Sequence, residues 1–168
     1  MNRWNLSDYT RARAVLTRRC VLGGAAALCC LPASAFAAPP IISALEAQAA
    51  MESGDLVVLD IRSRAEWRET GLAKGAWPVS MHEADFPAKL NAILAKFQPS
   101  QIALICATGG RTSYIADVLE QNGITGVTDI SEGMMGNARG PGWIARGLPI
   151  ATLQQAQSAA DAALDPGN

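Results

Sequence analysis

Cys106-Ala107-Thr108-Gly109-Gly110-Arg111 is the stretch on which the reading of this chain turns. Ahead of it runs Ile102-Ala103-Leu104-Ile105, an apolar segment of the kind that fills a parallel strand buried on both faces. Behind it, Ile115, Val118 and Leu119 recur at helical spacing within Thr112–Asn122, and Gly123 stands where a helix C-cap is expected. The order strand, glycine turn, helix places a thiol at the junction where open α/β sheets hold their ligands.

Electrostatics at that junction favours ionised sulfur. Amides at a helix start lack internal partners, and the macrodipole adds partial positive charge. In such settings a thiol pKa falls from about 8.5 to roughly 3.5–7.5. Gly109 and Gly110 let the chain curl so that amides from Ala107 and Thr108 through Arg111 converge as an anion nest. Arg111 contributes a planar, permanent cation suited to an oxyanion. The plainer alternative is a buried cysteine acting as a small hydrophobe above a connecting turn. The strand, the paired glycines and the arginine together favour a reactive thiol, which requires a sulfur open to solvent and more acidic than free cysteine.

Working outward, Leu56–Ile61 is the clearest strand, rich in branched residues. Ser63-Arg64-Ala65-Glu66 has the form of a capping box opening a short helix that stops by Gly71. Ala76–Val79 reads as a strand with Pro78 at its edge or end. Asp85–Phe97 is helical, with Leu90, Ile93, Leu94 and Phe97 on one face and Pro87 in the first turn. Ile41-Ile42 is a short edge strand, followed by a helix over Ala44–Met51. Residues 152–168 are rich in Ala and Gln and read as a weak helix or a frayed tail. The alternation predicts a parallel, doubly wound α/β sheet in one folded unit over residues 38–151.

Most other notable residues read as structural. Asp60, at a strand end, ties down neighbouring amides. Arg62 and Glu66 read as a partly exposed pair worth at most about 1 kcal/mol. Trp67, Trp77 and Trp143 read as core or pocket wall, and Met134-Met135 as core filling in preference to a lining of the approach to Cys106. His82 reads as a loop residue rather than a base.

The individual phrases resemble the rhodaneses, the sulfurtransferase family. Cys-x4-Arg matches the six-residue loop of that family, whereas cysteine-dependent phosphatases carry five residues between cysteine and arginine. Asp60-Ile61-Arg62 with Glu66-Trp67 is similar to the family's Asp-x-Arg…Glu-aromatic segment. Gly71-Leu72-Ala73-Lys74-Gly75-Ala76 is similar to its Gly-His-Ile-x-Gly-Ala segment, with Leu72 in place of histidine. Gly133, Gly136, Trp143 and Gly147-Leu148-Pro149-Ile150 are similar to its Gly-Gly…Trp…Gly-x-Pro-Val ending. The resemblance covers about residues 41–151 and implies a central parallel sheet of about five strands flanked by helices on both faces.

It also implies a chemistry. Cys106 would take the sulfane sulfur of a small donor, thiosulfate in the usual case, as a persulfide held by the amides of Ala107, Thr108, Gly109, Gly110 and Arg111. A thiophilic acceptor, either cyanide in an assay or a sulfur-accepting protein, would then remove it. Arg111 would hold the donor's sulfonate. Ala107 is neutral where many thiosulfate-using members carry a basic residue, so a low-molecular-weight persulfide or a partner protein is a further candidate donor. No cofactor and no metal is expected, since His82 is the single histidine. The rival readings are a non-enzymatic sulfur carrier or binding module, and phosphatase chemistry on the related scaffold.

The first 37 residues read as an address. Thr17-Arg18-Arg19-Cys20-Val21-Leu22 resembles the twin-arginine export motif, and Cys20–Leu31 is apolar but too short to span a bilayer. Ala35-Phe36-Ala37 and Ala33-Ser34-Ala35 are small-x-small cleavage patterns. Processing after Ala35 or Ala37 would deliver a periplasmic protein with no stable membrane anchor. Cys20, Cys29 and Cys30 lie in that segment, leaving Cys106 as the sole thiol beyond it. Beyond Ala37, nine basic residues face fourteen acidic ones, a balance with no generic attraction for nucleic acid.

Overall fold

The run Ile102–Ile105 forms β5, the middle strand of a five-stranded parallel sheet in the order β1-β6-β5-β2-β4. The computed structural model describes residues 38–164; the proposed export segment and residues 165–168 lie outside them. The strands are β1 (Ile41–Ile42), β2 (Val57–Asp60), β4 (Trp77–Pro78), β5 and β6 (Thr128–Ile130). A separate antiparallel pair joins β3 (Leu72–Ala73) to β7 (Ile150–Ala151). The helices are α1 (Ala44–Glu52), α2 (Arg64–Thr70), α3 (Phe86–Lys96), α4 (Gly110–Gln121), α5 (Gly142–Ala145) and α6 (Leu153–Leu164).

All four residues of β5 are buried because the sheet is covered on both faces. Alternation along each strand divides them: Leu59, Ile102 and Leu104 join Phe86, Leu90, Ile93 and Leu94 of α3 and Ile115 and Leu119 of α4. Val58, Ala103 and Ile105 join Ala44 and Ala47 of α1, Met134 and Trp143 on the other face. Cys106 keeps the parity of Ile102 and Leu104, so its side chain falls on the α3–α4 side. Pro78 ends the edge strand β4, where its missing N–H disturbs no central ladder.

The Ser63–Glu66 capping box forms: Ser63 Oγ accepts from Glu66 N at 3.3 Å, and Glu66 Oε2 accepts from Ser63 N at 2.9 Å. Leu153–Leu164 is helical and buries Ala156 with Trp67 and Leu72, and Ala160 in the main core. Alanines four apart permit that close approach. Two motif segments far apart in sequence meet at the β3–β7 pair, where Lys74 N donates to Pro149 O at 2.9 Å. Trp67, Trp77 and Trp143 are all buried.

One expectation is corrected. Arg62 and Glu66 do not pair. Arg62 is 1% exposed and binds Asp60, with Nη2 to Oδ2 at 2.7 Å and Nε to Oδ1 at 3.0 Å. Its other donors reach Thr70 Oγ1 at 2.8 Å and Gly71 O at 2.7 Å. Asp60 Oδ1 also accepts from Arg62 N at 3.0 Å. The buried guanidinium is thus held at several of its donors, as an ion at that depth must be. It ties the end of β2 to the turn after α2.

Candidate active site

Cys106 directly follows β5, and Gly109 is the N-cap of α4 with φ +82°, a left-handed conformation open to glycine. A side chain there would also meet Ser131 O at 2.1 Å. The turn carries Gly109 N to 3.1 Å from Cys106 Sγ, so a helix-start amide donates to the sulfur. Thr112 donates its hydroxyl to Gly109 O at 2.8 Å and lies 3.7 Å from the sulfur through the same Oγ1. Ala107 is half-buried, Thr108 and Gly110 are exposed, and Gly109 is buried.

The loop is clamped from behind by residues 131–137. Met134 N donates to Cys106 O at 2.8 Å and Met135 N to Ala107 O at 2.8 Å. Asn137 Nδ2 donates to Thr108 O at 2.8 Å and to Ser131 O at 2.7 Å. The two methionines separate: Met134 is fully buried in the core, whereas Met135 is 55% exposed.

Arg111 lies in the first turn of α4 and reaches across to α2. Its Nη2 meets Glu66 Oε1 at 2.5 Å and its Nη1 meets Glu66 Oε2 at 2.9 Å, a two-point carboxylate pair. Nη1 is also 3.2 Å from His82 Nε2. Arginine only donates, so this contact makes Nε2 the acceptor and leaves the imidazole proton on Nδ1. The guanidinium holds the Glu66 carboxyl down at about 2 against the opposing effect of burial, with help from the Ser63 N–H and hydroxyl. Arg111 is raised in turn, first by Glu66 and to a smaller degree by Cys106.

The expectation of a solvent-open thiol is corrected. Cys106 is 1% exposed and belongs to the α3–α4 core cluster. Its side chain continues the alternation of β5 into that cluster, while its carbonyl and that of Ala107 accept from Met134 N and Met135 N. A second buried polar group sits behind it: Asp129 on β6 is 2% exposed, and Oδ1 has no hydrogen-bond partner. Burial pushes its carboxyl up.

Of the loop amides read from the sequence, the structure shows that of Gly109 donating to Cys106 Sγ, with Thr112 Oγ1 beside it; Arg111 instead joins Glu66 and His82, and Asn137 joins Thr108. Glu66 lies 45 positions before Arg111, and its capping-box role accounted for it fully in the sequence. Only the approach of α2 to α4 reveals its second partner. Asn137 carries no periodic or motif signal. Among the described residues no cluster of three or more His, Cys, Asp or Glu could hold a metal ion.

The rhodanese-like domain family model matches residues 43–138, and the chain belongs to that family. A search of curated proteins finds no match. Among solved structures, the chain is similar to Rv0390 of M. tuberculosis, with 25% identity, a TM-score of 0.50, and 68% of this chain and 98% of that one covered. It is also similar to the rhodanese-like domain of an Anabaena sp. protein, at 20% identity and a TM-score of 0.51, covering 68% and 81% of the two chains. The polysulfide-sulfur transferase homodimer of Wolinella succinogenes aligns at 22% identity and a TM-score of 0.49, covering 68% and 79%.

Proposed function

We propose that the protein is a sulfurtransferase that carries sulfane sulfur on Cys106. The observation that carries this reading is the amide of Gly109 held 3.1 Å from Sγ at the start of α4, a donor aimed where negative sulfur must be stabilised. The Cys106 thiolate attacks the outer sulfur of a donor. The donor's S–S bond breaks with its electron pair leaving on sulfite or a thiolate, and a Cys106–sulfur bond forms. A thiophilic acceptor then attacks the terminal sulfur and regenerates the thiolate, so the kinetics are ping-pong. The four-residue span between Cys106 and Arg111 favours this over phosphoryl transfer.

Because Cys106 is 1% exposed, the reading requires an opening of the loop or its rim that admits the donor, and alkylation of the native thiol tests for that opening. Export through the segment over residues 1–37, with cleavage after Ala35 or Ala37, would place this chemistry in the periplasm. N-terminal sequencing of the periplasmic protein tests that step, and an intact Met1 refutes it.

The decisive experiment is intact mass after incubation of the native protein with a sulfane donor, followed by transfer to cyanide. Wild type gains one sulfur and returns it as thiocyanate, whereas Cys106→Ser does neither. Transfer activity retained by Cys106→Ser, or a native thiol that never gains sulfur, overturns the proposal.

A further inference from the structure

The last turn of α2, the strand β7 and the first turn of α6 enclose a cleft of about 540 Å³ that shares no lining residue with the cysteine loop. That is the volume of a small-molecule site. Trp67, which is 2% exposed, forms an apolar wall together with Ile150 and Leu153. Arg68 is the charged residue of the lining, and no acidic side chain lines the cleft. Arg68 is exposed and takes part in none of the ion pairs among the described residues. Its charge is left unanswered although acidic residues outnumber basic ones beyond Ala37.

Uncharged donors at the cleft are unanswered as well. Thr152 caps α6: its N donates to Gln155 Oε1 at 2.9 Å, and its Oγ1 accepts from Gln155 N at 3.3 Å. The amides of Leu153 and Gln154 are left without a partner among the described residues, at the positive end of a 12-residue helix. Trp67 Nε1 is buried and has no hydrogen-bond partner. An unpaired buried N–H is costly, and an acceptor brought by a ligand would relieve it.

We propose that this cleft binds a small organic carboxylate, its charge held by Arg68 and the start of α6 and its apolar body against Trp67, Ile150 and Leu153. A carboxylate accepts without donating, which suits a set of donors. One guanidinium matches one negative charge, and the apolar walls favour a carbon body over a bare inorganic ion. The site is separate from sulfur transfer and stands or falls without it.

The test is titration of the ¹⁵N-labelled native protein with hexanoate and benzoate. Their uncharged amides and inorganic phosphate serve as comparisons. At least one carboxylate is expected to bind with a Kd of about 1 mM or tighter and to shift the Trp67 indole N–H resonance. Its amide and phosphate should bind at least about tenfold more weakly. Arg68→Ala removes no contact of the fold and is expected to weaken carboxylate binding about tenfold, with the urea midpoint and sulfur loading of Cys106 unchanged. Should that variant fail to fold, the wild-type preference for a carboxylate over its amide decides. No binding of either carboxylate, an unmoved Trp67 resonance, equal binding of the amide or of phosphate, or undiminished binding by folded Arg68→Ala would overturn the inference.

Discussion

Replacing Gly133 by alanine probes how the second loop holds the first. Gly133 has φ +67°, and a Cβ there would lie 2.5 Å from Ala107 O, 2.6 Å from Ala107 C and 2.8 Å from Cys106 O. These are backbone atoms of the active loop, and the bonds from Met134 N and Met135 N, each 2.8 Å, hold them in place. A left-handed alanine costs roughly 1–2 kcal/mol. Forcing the two segments apart adds overpacking of about 1–3 kcal/mol and weakens two hydrogen bonds worth about 1 kcal/mol each. The expected loss is therefore about 2–7 kcal/mol, which a domain in the upper part of the rough 5–15 kcal/mol range survives.

Gly54 supplies the matched control: its φ is +81°, and a Cβ there would meet nothing within 4 Å. Gly54→Ala therefore carries the conformational cost alone, about 1–2 kcal/mol. Urea unfolding of both variants isolates the steric contribution. The rate of Cys106 alkylation by iodoacetamide in the native state reports the loop, and Gly133→Ala should raise it severalfold while Gly54→Ala does not. If the two variants lose the same stability and leave alkylation alike, the clamp described here does not hold the sulfur.

Two further predictions concern charge. Arg62→Met leaves Asp60 buried without its partner and should cost about 3–5 kcal/mol by urea unfolding; the Asp60→Asn, Arg62→Met double variant should regain part of that loss. A cost below about 1 kcal/mol for the single variant would mean that the pair does not anchor β2. The depressed Glu66 carboxyl adds stability that is fully present above its ordinary value of 4.5 and is lost as pH falls toward about 2. With both side chains about 30% exposed, solvent screening reduces that contribution to about 1–2 kcal/mol. Wild type should therefore lose more stability between pH 5 and pH 3 than Glu66→Gln, and equal losses would show the pair to be energetically idle.

The apolar run of β5, the glycine turn and the helical spacing after it are local patterns, so the sequence alone located the sulfur, the alternating α/β order and the family. Pro78 and the Ser63–Glu66 box were legible for the same reason, because their physics lies within a few residues. What needed the tertiary structure were relations across distance. Arg62 turned inward to Asp60 because the end of β2 is sealed by the turn after α2, and Glu66 met Arg111 because α2 lies beside α4. Cys106 is buried because the alternation of β5 turns its side chain into the core that α3 and α4 close. Composition and periodicity report which side chains prefer water, whereas the partner that neutralises a given charge is decided only when segments tens of residues apart are brought together.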